Sequence, residues 1–190
     1  MILPIVRYGD PILRKKGAKI GSITPEITHL IADMLDTMRD AQGVGLAAQQ
    51  IGKALQLALV DVTGVAKRPS KMWISGKEVD PLIHMPLVLI NPVISGTKKK
   101  YTEGEGCLSF PRIYTDITRS VRIEVESLNA EGKPLKFEAA GLLGRAIQHE
   151  VDHLNGILFI DHVDKEERAY LKPNLEIIKA GGLPPEEDED

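Results

Sequence analysis

The segment from Gly141 to Gly156 limits this chain's fold more than any other stretch. Leu142, Leu143, Ala146, Ile147, Val151 and Leu154 recur at helical spacing, so this helix has a largely buried face. Gly156 supplies a C′ residue that can end it. The same helix carries His149-Glu150-Val151-Asp152-His153. Two histidines four apart on a 3.6-residue repeat point the same way. Buried imidazoles need partners, and one metal ion can serve both. Glu150, beside the first histidine, can then take a proton from a water at that metal, the H-E-x-x-H arrangement of metal-dependent hydrolases. Chance produces this pattern about once in a hundred chains of this composition, and the bland reading is a surface helix with two solvated histidines. The apolar face argues against that reading.

The remaining patterning is mixed. Thr24 is an N-cap and Pro25 fits the first helical position, and Ile27, Leu30, Ile31, Met34, Leu35 and Met38 then form one face. This predicts a helix over 24–41, stopped near Gln42 by Gly43 and Gly45. Leu55–Asp61 reads as a buried strand, and Leu87–Ile90 as a short one closed by Asn91-Pro92. Val121, Ile123 and Val125 alternate with charged residues, a turn follows at 129–132, and Leu135, Phe137 and Ala139 alternate again. That predicts an antiparallel hairpin. Thr63–Met85 has no clear period and contains Pro69, Gly76 and Pro81, so it reads as a long loop or insertion with Trp73 packed on the body. Asp164–Leu171 allows a short helical piece. Strands and helices are segregated, which predicts an α+β fold.

At 190 residues the chain can bury one core, so a single domain over 1–180 is expected. The acidic stretch 181–190 lacks apolar anchors and reads as a disordered tail. A net charge of −3 gives no footing for a nucleic-acid or membrane partner, and Lys98-Lys99-Lys100 reads as a solvated turn. With Cys107 as the single cysteine, no intrachain disulfide can form and a reducing compartment fits. No signal peptide or membrane-length apolar run is visible, so the expected location is the cytoplasm.

A catalytic metal site usually has three protein ligands and one open position. Cys107, in Glu105-Gly106-Cys107-Leu108-Ser109, is the strongest candidate for the third, although a lone cysteine is often only a small hydrophobe. In Gly43-Val44-Gly45-Leu46-Ala47-Ala48-Gln49-Gln50, two glycines permit close backbone approach to a ligand, and the terminal amide can donate to an oxyanion. His29, His84 and His162 read as structural or solvent-facing. Arg119 is a candidate partner for Glu105, steadying the cysteine loop.

These three segments, in this order, resemble the signature motifs of the peptide deformylases, and Ile5–Arg14 resembles the family's start. The resemblance spans roughly residues 3–163. It implies an α+β fold with antiparallel sheets packed around a central metal-binding helix. It implies a hydrolase that removes the formyl group from formyl-methionine N-termini of nascent polypeptides near the ribosome, releasing formate. Cys107, His149 and His153 would bind the metal, iron(II) first and zinc(II) as the alternative. Glu150 would act as general base and acid in the attack of metal-activated hydroxide. Gln50 and the Leu108 N–H would hold the oxyanion. Val44, Gly45, Leu142 and Ala146 are candidates for the substrate pocket.

Two rivals remain at this level. A zinc endopeptidase would take its third ligand downstream, where Glu166 and Glu167 stand. A non-catalytic binding protein would close the metal with a fourth ligand. Two departures from the family pattern are also expected: the long Thr63–Met85 link, and the lack of a long C-terminal helix.

Overall fold

The computed structural model describes residues 1–186. Nine strands and three α-helices follow one another in the described residues: α1 (Pro25–Asp40), β1 (Gly45–Ala47), β2 (Leu57–Val60), β3 (Ser70–Ile74), β4 (Lys77–Val79), β5 (Leu87–Gly96), β6 (Lys100–Cys107), β7 (Phe110–Ser120), β8 (Arg122–Leu128), β9 (Pro134–Ala140), α2 (Gly141–Leu154) and α3 (Lys165–Lys179). Seven strands form one antiparallel sheet in the order β1-β2-β5-β8-β9-β3-β4, and β6 and β7 form a separate hairpin. The fold is α+β, with α2 packed against strands of both sheets.

The reason α2 lies at the centre is visible in its composition. Twelve of its fourteen residues are buried, including polar Gln148, His149, Glu150 and His153. Its apolar face, Leu142, Leu143, Ala146, Ile147 and Val151, joins Val60, Leu89, Ile123, Val125 and Phe137 in the main core. Each of the Leu, Ile, Val and Phe side chains contributes about 1.5–3 kcal/mol on burial. A second core lies between α1 and the β1–β2 edge, centred on Met34, Met38, Leu46 and Leu59. A third gathers Phe110, Ile113 and Ile117 of β7 with Phe159, Leu171, Leu175 and Ile178.

The α1 start follows the expectation: the Thr24 hydroxyl accepts from the Ile27 N–H at 3.4 Å. Past the helix end, Gln42 takes a positive φ of 54°. The β8–β9 hairpin and the end of α2 also agree, and Gly156 is left-handed at φ 73°. An added Cβ there would lie 2.4 Å from the Arg14 carbonyl oxygen, so glycine is required on two counts.

Three expectations need correction. Thr63–Met85 is not simply a loop. Ser75 and Gly76 both have positive φ, as a two-residue hairpin turn requires, and they join β3 to β4. β3 then pairs with β9, so this stretch extends the main sheet, and Trp73 lies under the Arg122 guanidinium at 3.7 Å. The strand beginning at Leu87 does not close at Asn91-Pro92. It bulges there, with Asn91 at φ 52°, and continues to Gly96. The Asn91 side chain accepts from the Ile20 N–H and donates to its carbonyl, which fixes the bulge.

The third correction concerns the C-terminus, where α3 runs for fifteen residues through Pro173. An interior proline costs about 3 kcal/mol, because it removes a hydrogen bond and crowds the preceding turn. Leu175 and Ile178 lie beyond it, buried at 4% and 1% exposure, and their burial offsets that cost. Residues 181–186 are also placed, with Pro184 buried. The tail expectation for 187–190 lies outside the described residues.

Candidate metal centre

The three expected ligands converge from two elements. His149 and His153 project from α2, and Cys107 ends β6 at the tight turn Leu108-Ser109 that leads into β7. One ligand atom from each lies within 4.8 Å of the other two. The Cys107 Sγ is 3.3 Å from His153 Nε2, and the imidazole centroids are 5.0 Å apart. Among the described residues, this is the group of cysteine, histidine and carboxylate side chains with metal-ligand spacing. Glu166 and Glu167 lie on α3 outside it, and the Glu167 carboxylate accepts from the Thr115 hydroxyl. A downstream third ligand is therefore not formed. His29, His84 and His162 also lie outside the group.

The donor set fits a divalent ion. Sulfur and two imidazole nitrogens suit a borderline metal and leave a coordination position open. Glu150 Oε2 and His153 Nδ1 are buried without any protein partner. Buried polar atoms are nearly always satisfied, so an orphaned carboxylate oxygen next to three ligands points to a bound group.

Glu105 organises the surroundings. The alternation of β7 puts Thr115, Ile117 and Arg119 on alternating buried positions. Arg119 grips Glu105 through both Nε and Nη2. Arg145 Nη1 donates to the same carboxylate at 2.8 Å, and His149 Nδ1 is 2.9 Å from it. That contact leaves the His149 Nε2 for the ligand cluster. Burial opposes ionisation of Glu105, but His149 and Arg119 outweigh it and hold the carboxyl well below the usual range. Arg119 also reaches Asp152 at 2.8 Å, which in turn contacts His162 at 2.8 Å. The sequence singled out Arg119 but not Arg145 or Asp152. Arg145 lies on the helix one turn before His149, and a lone arginine inside an apolar run was the available signal.

Glu150 is buried, and desolvation raises its carboxyl to about 7 despite the nearby His149 and Arg119 charges. Burial disfavours charge on His149, yet Cys107 and Glu105 raise its pKa well above the ordinary value. Burial and the neighbouring His149 lower that of His153. A cation among these groups would favour ionised Glu150 and neutral imidazoles.

Gly45 explains how the carboxylate gets its place. A Cβ there would lie 2.2 Å from Glu150 Oε1 and 2.8 Å from Cγ. The close backbone approach expected of this glycine is thus made to Glu150. Gly43 is similarly tight against Leu108, where a Cβ would meet the side chain at 2.7 Å. Gln50 follows β1 in a 3-10 turn. Its Oε1 accepts from the Ala47 N–H at 2.9 Å, which turns the amide nitrogen toward Ser109 Oγ at 3.3 Å and Cys107 Sγ at 3.6 Å. The N-terminal segment clamps both turns of this arrangement, as Val6 N donates to the Gln50 carbonyl and Tyr8 N to that of Ser109.

Gly45, Gln50, Glu105, Cys107, His149 and Glu150 face one cleft of about 1030 Å³, whose lining also includes Val44, Leu108, Leu142 and Ala146. Arg68, from the stretch expected to be a loop, also reaches it.

Comparison with known proteins identifies the family. A family model described as polypeptide deformylase matches residues 2–169. The chain is 51% identical over 181 residues to a peptide deformylase of Methylacidiphilum infernorum, covering 95% of each. It is 42% identical over 180 residues to one from Opitutus terrae, covering 94% of this chain and 93% of that one. A crystal structure of peptide deformylase from Ehrlichia chaffeensis in complex with actinonin superposes with a TM-score of 0.81 at 32% identity, covering 95% and 97% of the two chains. One from Legionella pneumophila gives 0.80 at 34%, covering 95% and 96%. Cysteine as third ligand, an amide donor beside it and a family match across most of the chain lead to one conclusion: the chain belongs to the polypeptide deformylase family.

Proposed function

We propose that this protein hydrolyses the formyl group from formyl-methionine at the N-terminus of new polypeptides, releasing formate. The observation that carries this is the Gln50 amide held beside Cys107, with Glu150 buried against Gly45 on the helix that carries the two histidine ligands. Cys107, His149 and His153 would hold the metal. When bound, a divalent ion supplies Lewis-acid chemistry, lowering the pKa of water toward about 7 and polarising a carbonyl. Glu150 takes the proton of the attacking water on its carboxylate and passes it to the departing amine nitrogen. As the formyl oxygen gains negative charge, the Gln50 Nε2–H and the Leu108 N–H donate to it. Gln50 needs no reorientation for this, because its oxygen is already fixed by Ala47. Val44, Leu142 and Ala146 line the slot for the methionine side chain.

Iron(II) is the metal we assign, with zinc(II) compatible with the same ligands. The setting we assign is the cytoplasm, on nascent chains at the ribosome. No helix among the described residues is long and apolar enough to cross a membrane. Formate release from formyl-Met-Ala-Ser by anaerobically purified protein, with metal content measured on the same sample, tests this reading. Cleavage of an internal peptide bond without formate release would overturn it.

A further inference from the structure

One charged feature of the cleft takes no part in the chemistry above. Arg112 lies on β7, five residues past Cys107, and lines the cleft. Its guanidinium holds the chain's own terminal segment: Nη1 donates to the Pro184 carbonyl at 2.9 Å and Nη2 to Glu186 Oε1 at 2.8 Å. Glu186 itself lines the cleft. The two other arginines of the lining, Arg68 and Arg145, are held by Glu103 and Glu105 of β6. Arg112 takes its carboxylate from the terminal segment instead. Its backbone sits at φ 60°, a conformation that side-chain-bearing residues rarely adopt and that persists only where the surroundings fix it.

The two groups on Arg112 have a definite chemistry. They are a peptide carbonyl and a carboxylate two residues further along the chain, in a segment without helix or strand. The planar guanidinium fork matches such a pair. The contact is also exchangeable: the Glu186 side chain is 80% exposed and that of Arg112 40%, and exposed pairs of this kind are weak. An incoming peptide with a carbonyl and an acidic side chain at the same spacing can replace the chain's own.

We propose that Arg112 forms a carboxylate-binding subsite for the downstream part of the peptide substrate, and that Glu186 occupies it in competition. This rests on the deformylase reading. An acidic side chain fits better than a phosphate, because one arm of the fork is already matched to a backbone carbonyl.

The test is a series of C-terminally amidated formyl-Met-Ala peptides of six residues. Glu or Gln is placed at the third, fourth or fifth position, and formate release is followed. The readout is the ratio of kcat/KM for Glu over Gln. Because both peptides meet one enzyme preparation, differences in folded fraction cancel. A Glu preference of about two- to fivefold is expected at one position, the size of an exposed ion pair. A full-length variant with E186Q, E187Q, D188N, E189Q and D190N should enlarge it severalfold through a lower KM for the Glu peptide. R112Q should return the ratio to about one in both backgrounds. A ratio that R112Q leaves unchanged overturns the subsite, as does the lack of a Glu preference in the neutralised-tail variant. An unchanged ratio on neutralising the tail overturns the competition. If neither Glu nor Gln peptides release formate, the deformylase reading fails instead.

Discussion

Gly45→Ala tests the geometry around Glu150 with one methyl group. The added Cβ would lie 2.2 Å from Glu150 Oε1, 2.7 Å from Cδ and 2.8 Å from Cγ, whereas ordinary contact begins at 3.4 Å. The nearest atom must therefore retreat by about 1.2 Å, the difference between 3.4 and 2.2 Å. Rotating the carboxylate alone does not relieve this, because Cγ and Cδ are crowded as well. Neither side yields readily. Gly45 is paired with Val60 in β1, and Glu150 is 4% exposed on a helix buried along nearly its whole length. A misplacement of about 1 Å at a reacting group can cost about 100-fold in rate, or about 2.7 kcal/mol of barrier. Overpacking a buried site also costs about 1–3 kcal/mol of stability. We expect kcat for formyl-Met-Ala-Ser to fall about 100-fold, with metal stoichiometry kept because the three atoms nearest the new methyl all belong to Glu150 and none to Cys107, His149 or His153. Formate release, metal analysis and a thermal melt on one preparation read all three quantities. A kcat within about threefold of the parent would refute the argument that Gly45 sets the position of Glu150.

Four further outcomes follow from the same contacts. Glu150→Ala should keep the metal and lose about 10²–10⁴ in turnover, the usual weight of general acid–base catalysis, and full activity would remove Glu150 from that role. Gln50→Ala should fold and bind metal but lose about 10²–10³ in kcat, as for one oxyanion donor; a change of only a few-fold would be the contrary result. Glu105→Ala leaves Arg119, Arg145 and His149 Nδ1 without their shared acceptor, so stability should fall by about 3–5 kcal/mol and metal affinity by about 10–100-fold, read by denaturant melts and metal competition. Burial opposes ionisation of Asp161, but the hydrogen bonds it accepts from Arg14 and the Leu158 N–H outweigh it and depress its carboxyl pKa below the ordinary 3.8. That stabilisation is present above the unfolded-state pKa and lost as pH falls through the lower folded value. Asp161→Asn should then cost less than about 1 kcal/mol near neutrality, since the pair is partly exposed. The gap between variant and parent should close in melts below pH 3.8, and a constant gap there would contradict it.

Local patterns carried most of the elements into view. The Thr24-Pro25 start, the 3.6-residue faces of α1 and α2, and the alternation of β8 and β9 are short-range signals that tertiary packing did not override. The ligands were legible for the same reason, since helical repeat alone puts His149 and His153 on one side. What escaped was non-local. The β3–β4 hairpin shows only a Ser-Gly turn in sequence, and its strands are stabilised by pairing with β9, some seventy residues away. The length of α3 was hidden by Pro173, because the burial that offsets it comes from a core assembled with β7.

The sequence by itself determined the chemistry available: which side chains can bind a metal, move a proton and donate to an oxyanion, and that two of the ligands share a helix face. Tertiary structure decided how they meet. Cys107 is brought to the histidines by the β6–β7 turn, and Gln50 is aimed at its sulfur by a hydrogen bond from Ala47. The Glu105 carboxylate is shared by Arg119, Arg145 and His149 only because a hairpin and a helix bury them together. The physical reason is that spacing along a helix is fixed by backbone geometry, whereas contacts between distant segments depend on which surfaces pack.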